Sequence, residues 1–372
     1  MTLVERRWPT DDDQGRRYQA FVAEPVAAMH PALSGASLEL CDRAVAALSR
    51  IGARSPIAWE PVGRLLLRSE GLASSDIEGI RITPRRLLEA QLTTGDDHQA
   101  MWVLDNIAAV EAAYDQADQD LATPMLEQWH RTLMERSTLP SEYVGRYRTV
   151  QGWIGGTNPL TAVFVPAPPE LIGELMDDLI VFANRRDISP LVQAAILHAQ
   201  FETIHPFADG NGRIGRVLVG WSLRRREAVT DAVPPLSPQI ARRVDQYVYG
   251  LWAYREGRID EWVTWFADIA LASAAHAADL TAKVAQLVER WRSQLAARRS
   301  DDTAKRLIEI LVASPVVDVA GAASALQVSD RSARRALNDM EERGVLEPLS
   351  PQADGPGRPR KHWMAGPLVD LL

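Results

Sequence analysis

His205-Pro206-Phe207-Ala208-Asp209-Gly210-Asn211-Gly212-Arg213-Ile214-Gly215-Arg216 decides how this chain is read. An apolar-periodic stretch at 191–203 leads into it and another at 214–224 leads out, so the run joins two helices. The Pro206 ring cannot continue the first helix, and the chain must turn there. Gly210 and Gly212 flank Asn211 and permit positive φ or close approach of backbone to a ligand. Backbone N–H groups of such a turn, at the start of a helix, form an anion cradle. Arg213 and Arg216 stand three apart on one helix face and can grip two phosphates. Asp209 offers a hard oxygen ligand suited to a phosphate-bound Mg²⁺. His205 is the residue of this run able to accept a proton near neutral pH. Each feature alone reads as an ordinary turn. Together, within so short a run, they read as a site.

Outward from the loop, the chain has 372 residues, enough for two or three domains at about 150 residues each. The 41 Lys and Arg against 49 Asp and Glu leave a formal charge of −8, which argues against global attraction to nucleic acid or an anionic membrane. Hydrophobic residues at 46% and charged residues at 24% are globular values. Cys41 is the single cysteine, so an intramolecular disulfide and a multi-thiolate metal site are excluded. No apolar leader is visible at the start and no run approaches a spanning helix, so a soluble, cytoplasmic protein is expected.

The texture is helical, with further periodic segments at 37–51, 101–116, 123–133 and 169–184. One exception lies between Gly145 and Pro169. Residues 147–154 read as a short strand, 155–159 as a Gly-rich turn, and 162–165 as a return strand. A boundary is expected at 93–98, and a long helix over 268–299 is expected to lead out of the central domain.

The loop resembles the signature of the Fic (Fic/Doc) family, His-Pro-Phe-x-Asp/Glu-Gly-Asn-Gly-Arg-x-x-Arg, at every defining position, and the preceding His198–Ile204 is similar to that family's leading helix. The resemblance runs to about residue 275. It implies a mainly α fold: a Fic-type helical core with a β-hairpin flap, an N-terminal helical region (1–95), a catalytic domain (96–285), and a linker helix with a winged helix-turn-helix (286–372). It implies transfer of AMP from ATP to a Ser, Thr or Tyr hydroxyl of a protein, the chain itself included. His205 would deprotonate the hydroxyl, and Asp209 would hold Mg²⁺ on the phosphates. Gly210, Asn211 and Gly212 would line the anion hole, with Ile214 and Gly215 in the same phosphate-binding turn. Arg213 would support the phosphates and Arg216 would engage the γ-phosphate. Gly212 favours nucleotidyl over phosphoryl transfer, because the phosphate-transferring branch carries a bulkier residue there. Tyr247 is assigned near the nucleotide by the family pattern.

The 145–164 segment is similar to the family's flap, with Val150, Gly152, Trp153, Ile154 and Gly155 holding the target by main-chain pairing. Trp153 is either a core residue or an exposed clamp. Ser74-Ser75-Asp76-Ile77-Glu78-Gly79 places Ser74 and Glu78 one helical turn apart, with Gly79 suited to the helix end. It resembles the inhibitory motif Ser/Thr-x-x-x-Glu-Gly/Asn that such proteins use on themselves. Glu78 would then pair with Arg216 and deny it to the γ-phosphate. In some relatives the same glutamate helps remove AMP, so reversal is carried as a second activity. A homodimer is compatible with this picture, and the oligomeric state stays open.

Beyond residue 301, helices are expected at 303–313, 319–326 and 329–343, with short strands at 345–347 and 361–364. This is similar to a winged helix-turn-helix, with Arg331, Arg334 and Arg335 on the second helix of the pair and Arg358, Arg360 and Lys361 in the wing. Nine Lys and Arg against eleven Asp and Glu leave 301–372 at −2, which favours protein docking or dimerisation over DNA. A DNA-binding regulator with a vestigial nucleotide site is the competing reading.

Overall fold

The computed structural model describes residues 2–8, 15–51, 59–92, 97–230, 232–296, 302–349 and 361–372. It opens with an antiparallel pair, β1 (Thr2–Trp8) and β2 (Arg16–Val22), in register Thr2 to Val22 and Trp8 to Arg16. The sequence reading placed only helices in this region. The pair continues onto the body of the protein through Phe21 N–H, which donates to Val165 O at 2.8 Å.

Helices follow: α1 (Gly35–Leu48), α2 (Trp59–Ile77), α3 (Pro84–Ala90), α4 (His98–Asp115), α5 (Thr123–Met134), α6 (Ile172–Ala183), α7 (Pro190–Ile204), α8 (Asn211–Arg225), α9 (Ser237–Ala241), α10 (Val244–Arg255) and α11 (Ile259–Ala296). Local chemistry starts several of them. Ser34 Oγ accepts from Ser37 N–H, and Asp97 Oδ1 accepts from Ala100 N–H, each at 3.2 Å. Pro190 and Pro84 sit in the first turns, where a missing N–H costs nothing.

α7 is buried on every side from Leu191 to Ile204 and α8 nearly so, which makes this pair the central layer. Trp129, Phe182, Phe201, Phe207, Trp221 and Phe266 fill the space around them. One core takes residues from Phe21 to Ala274.

The last part contains α12 (Asp302–Ala313), β3 (Val316–Asp318), α13 (Val319–Leu326), α14 (Asp330–Glu342), β4 (Glu347–Pro348), β5 (His362–Met364) and α15 (Gly366–Val369). The strands form one sheet in the order β3-β5-β4, antiparallel throughout. The sequence reading contained β4 and β5 but not β3. Ser329 caps α14 by accepting from Ser332 N–H at 3.3 Å. Arg358 and Arg360, assigned to the wing, lie outside the described residues. Lys361 is paired with Glu341 at 2.7 Å.

α2 belongs to two cores at once. Its early residues Val62, Leu65 and Leu66 pack with Leu307, Ile308 and Leu311 of α12 and with Val284 and Trp291 of α11. Arg68 donates to Ala313 O at 3.0 Å, fastening the same helix to the end of α12. Its later residues join the first core, with Leu67 inside it and Leu72 and Ile77 packed against it, alongside α4 and α9. Among the described residues, no helix is long and apolar enough to cross a membrane.

Candidate active site

α7 ends at His205, which takes a left-handed conformation with φ 52° and ψ 61° while its N–H still donates to Phe201 O at 2.8 Å. A left-handed backbone is unusual for a residue with a side chain and is held by its surroundings. Arg148 supplies much of that restraint. It is 2% exposed, and its guanidinium donates to His205 O at 2.9 Å, Val150 O at 2.9 Å and Ala167 O at 2.6 Å. Its own N–H donates to Pro206 O at 2.8 Å. The sequence reading placed Arg148 in a strand and gave it no role.

Asn211 closes the turn from inside. Its Oδ1 accepts from Phe207 N–H and its Nδ2 donates to Phe207 O, both at 2.8 Å. This locks the loop onto the first residue of α8. Asn211 is 2% exposed, so its side chain braces the loop while the N–H groups of the first turn of α8 form the cradle. Gly210 sits at φ 79°, and a Cβ there would come 3.1 Å from Met134 Sδ and 3.2 Å from Leu133 Cδ2.

A second brace, His130 on α5, was also missed. Its Nδ1 accepts from Gly145 N–H at 2.8 Å, so Nε2 carries the proton and donates to Asp209 O at 3.0 Å. Its ring stacks on Phe207 at 3.9 Å. Burial pushes its pKa down to about 4, which keeps it neutral. Asp209 itself is exposed at the mouth of the loop, with Oδ1 accepting from Gly210 N–H at 2.6 Å. Among the described residues, no group of three or more His, Cys, Asp or Glu is placed to hold a metal alone. One exposed carboxylate beside an anion cradle fits a Mg²⁺ that takes its other oxygens from phosphate and water.

The two arginines of the loop are both 6% exposed and diverge. Arg213 turns toward Met134, with Nη2 3.7 Å from the sulfur. Arg216 is engaged by the end of α2. Its Nε donates to Ser74 Oγ at 2.9 Å, and its Nη2 donates to Ser74 O and to Glu78 Oε1, each at 2.8 Å. Ser74 and Glu78, singled out by their resemblance to the inhibitory motif, therefore meet the arginine of the loop. Burial weighs against charge on both partners. Mutual attraction outweighs it, holding Glu78 below and Arg216 above their ordinary values. Gly79, at φ 83°, ends the helix just after the contact. Gly212 is what lets Glu78 in: a Cβ there would come 2.0 Å from Glu78 Oε1.

Three assigned residues stand elsewhere than the phosphate-binding surface. The Ile214 side chain is fully buried, so only its main chain faces the turn. Gly215 faces inward: a Cβ there would come 2.5 Å from Glu202 Oε1 and 3.1 Å from His198 Nδ1. Tyr247 is 6% exposed, its hydroxyl bonds His198 Nε2 at 2.9 Å, and its ring packs against the stacked pair Trp262 and Trp265. It is a wall behind Arg216 and not an open base-binding face.

The flap differs from the expected hairpin. Among the described residues its strands reduce to a single bridge, Ile154 to Phe164, with Ile154 N–H donating to Phe164 O at 2.8 Å. Positive φ at Gly155 and Gly156 turns the chain too soon for a longer ladder. Gly152 passes close over Arg148, where a Cβ would come 3.1 Å from Nε. Val150 is 50% exposed and Trp153 is 37% exposed, set edge-on against Trp8 at 5.6 Å. Trp153 is thus a partly exposed surface residue seated on the N-terminal strand pair.

Residues 120–223 match the model of the Fic/DOC family. Protein adenylyltransferase fic-1 of Caenorhabditis elegans is 32% identical over 106 residues, 28% of this chain and 18% of that protein. Protein adenylyltransferase Fic of Nematostella vectensis is 27% identical over 186 residues, 47% of this chain and 40% of that protein. The matches therefore span less than half the length of either relative. In fold, the chain is similar to a Fic family protein from Desulfovibrio desulfuricans G20, with TM-score 0.56 and 24% identity over 91% of this chain and 98% of that one. From the loop at 205–216, its braces and these likenesses, the chain carries a domain of the Fic/DOC family.

Proposed function

We propose that this chain is a protein adenylyltransferase, moving AMP from Mg–ATP to a hydroxyl side chain of a protein, itself among the targets. The observation that carries the reading is the loop: a strained His205 set directly before an anion cradle and two buried arginines. In this reading the N–H groups of Gly212 and Arg213 bind the phosphates. Arg213 neutralises charge beside them, and Arg216 takes the γ-phosphate once Glu78 lets go. Asp209 would hold Mg²⁺, which would supply charge neutralisation at the phosphate oxygens. His205 takes the hydroxyl proton as the new O–P bond forms and pyrophosphate departs, a displacement that rests on positioning and electrostatics.

Glu78 restrains the reaction by occupying Arg216, and the same carboxylate is suited to orient water for the reverse step. Val150, Gly152, Trp153, Ile154 and Gly155 offer an edge to the target, and the exposure of Val150 and Trp153 supports that role. The part from 286 onward serves as a winged helix-turn-helix docking module in this reading. Its near-neutral charge disfavours DNA, and self-association is compatible with it.

The test is incubation with ATP labelled at the α or the γ phosphate, using the wild-type chain, Glu78→Gly and His205→Ala. Protein-bound label from the α position alone, raised in Glu78→Gly and lost in His205→Ala, supports the reading. Label from the γ position, or none in Glu78→Gly, overturns it.

A further inference from the structure

Directly beneath His205 lies a carboxylate that neither the loop nor Glu78 accounts for. Glu202 sits one turn earlier on α7, and its side chain is 8% exposed. Its Oε2 is 3.9 Å from His205 Nδ1, and its Oε1 has no hydrogen-bond partner. His205 Nδ1 is likewise buried and without a partner. A buried carboxylate with one oxygen unpaired, beside a buried ring nitrogen without a partner, is expensive in a protein interior. Space for it is kept at Gly215, where any Cβ would collide with Oε1.

We infer that Glu202 is a positioning residue for His205: it accepts a hydrogen bond from Nδ1–H, directs Nε2 to the target hydroxyl, and stabilises the imidazolium formed during transfer. The inference rests on the adenylyltransferase reading for its consequence and on geometry for its existence.

A carboxylate acceptor at Nδ1 fixes the tautomer that leaves Nε2 free to take a proton. The 3.9 Å separation closes to hydrogen-bond length with about 1 Å of side-chain movement, and such contacts often tighten only when substrate is bound. His205 needs the help. Burial pushes it down to about 3, with Arg148 and Arg255 adding and with Glu78 and the main-chain carbonyl of Glu202 opposing. Burial pushes Glu202 up to about 7, with Glu78 adding and Arg216 and Arg255 opposing. His198 and Tyr247 complete the titratable surroundings. Each of the two groups resists its charge alone, and the charged pair relieves both. The proton leaves the target oxygen for Nε2 as O–P forms and the bond to pyrophosphate breaks. Glu202 keeps its negative charge and takes no proton.

The experiment is nitrogen-15 NMR of the imidazole of His205 in the full chain, assigned by its loss in His205→Ala. The same chains are assayed for AMP transfer in a Glu78→Gly background. The expected wild-type signal is the Nδ1–H tautomer. Glu202→Gln retains it, because the amide oxygen still accepts, yet lowers kcat tenfold to a hundredfold with KM for ATP within twofold. Glu202→Leu, shown folded by its melting transition, shifts the population toward Nε2–H. Unchanged His205 nitrogen shifts in folded Glu202→Leu overturn the inference whether or not AMP transfer occurs. An equal loss through KM in Glu202→Gln also overturns it. Absence of AMP transfer with a tautomer shift present refutes the adenylyltransferase reading and leaves the pairing standing.

Discussion

Replacing Glu78 by Gly removes one of the hydrogen-bonded partners of Arg216 and leaves Ser74 Oγ and Ser74 O in place. The guanidinium therefore stays oriented while its charge becomes available. A charge-assisted hydrogen bond of this kind contributes about 2–3 kcal/mol in a protein interior. The Glu78 side chain is 36% exposed, so solvent screening brings the figure to about 2 kcal/mol. At 1.36 kcal/mol per tenfold, that is about a 30-fold gain in transfer at saturating Mg–ATP. The assay is initial-rate incorporation of α-labelled AMP into the chain itself. In the adenylyltransferase reading the gain is expected in kcat, because ATP would bind either way and only the poise of its phosphates would change. Equal incorporation by wild type and Glu78→Gly would falsify the restraint. Ser74→Ala provides the inner control: it removes one acceptor and leaves the Glu78 contact, so release about fivefold, well short of the glutamate variant, is expected.

Gly212→Ala sets a Cβ 2.0 Å from Glu78 Oε1 and displaces that carboxylate, so adding Glu78→Gly to it yields under about a fivefold gain in a double-mutant cycle. Arg148→Leu strands the carbonyls of His205, Val150 and Ala167, and its denaturant midpoint falls by an amount equivalent to about 3 kcal/mol, with transfer lost in parallel. Glu202 is held at about 7 instead of 4.5, so its contribution favours folding below about 4.5 and is lost as pH rises through about 7. Glu202→Gln therefore raises the melting temperature more at pH 8 than at pH 5, by the equivalent of about 3 kcal/mol at most. A larger gain at pH 5 would contradict the raised value.

The parts of the site that could be read from sequence are those whose partners lie nearby along the chain. Pro206, Gly210 and Asn211 announce a turn between two periodic stretches, and the turn is there. Ser74 and Glu78 were legible as a one-turn pair and Arg216 as a loop arginine; the 138-residue separation between Glu78 and Arg216 carries no local signal, and the expectation that they pair came from the family resemblance. Arg148 and His130 were missed because a charged or polar side chain in a short strand or helix reads as solvent-facing. Only the tertiary fold supplies the carbonyls that Arg148 collects. Glu202 had a signal, three positions before His205 and one helical turn away. The first N-terminal strand had none: Val4, Arg6 and Trp8 alternate with more exposed neighbours in the fold, but with Arg6 in the inner set and Leu3 in the outer one the sequence shows no apolar alternation. The flap erred in the other direction, since extended sequence became only one bridge once two glycines bent the chain.

α2 has one end in each of two cores, and that shared wall limits how the chain can be divided. A chain cut before α12 would bare Val62, Leu65 and Leu66, the residues nearest the start of the helix whose far end grips Arg216. Exchange of the C-terminal part for a foreign one, as in the shuffling of modules during evolution, would meet the same obstacle. A newcomer must reproduce the apolar face that those residues expect, or the helix loses its footing. The seam between the two parts thus runs along a helix and not along a linker.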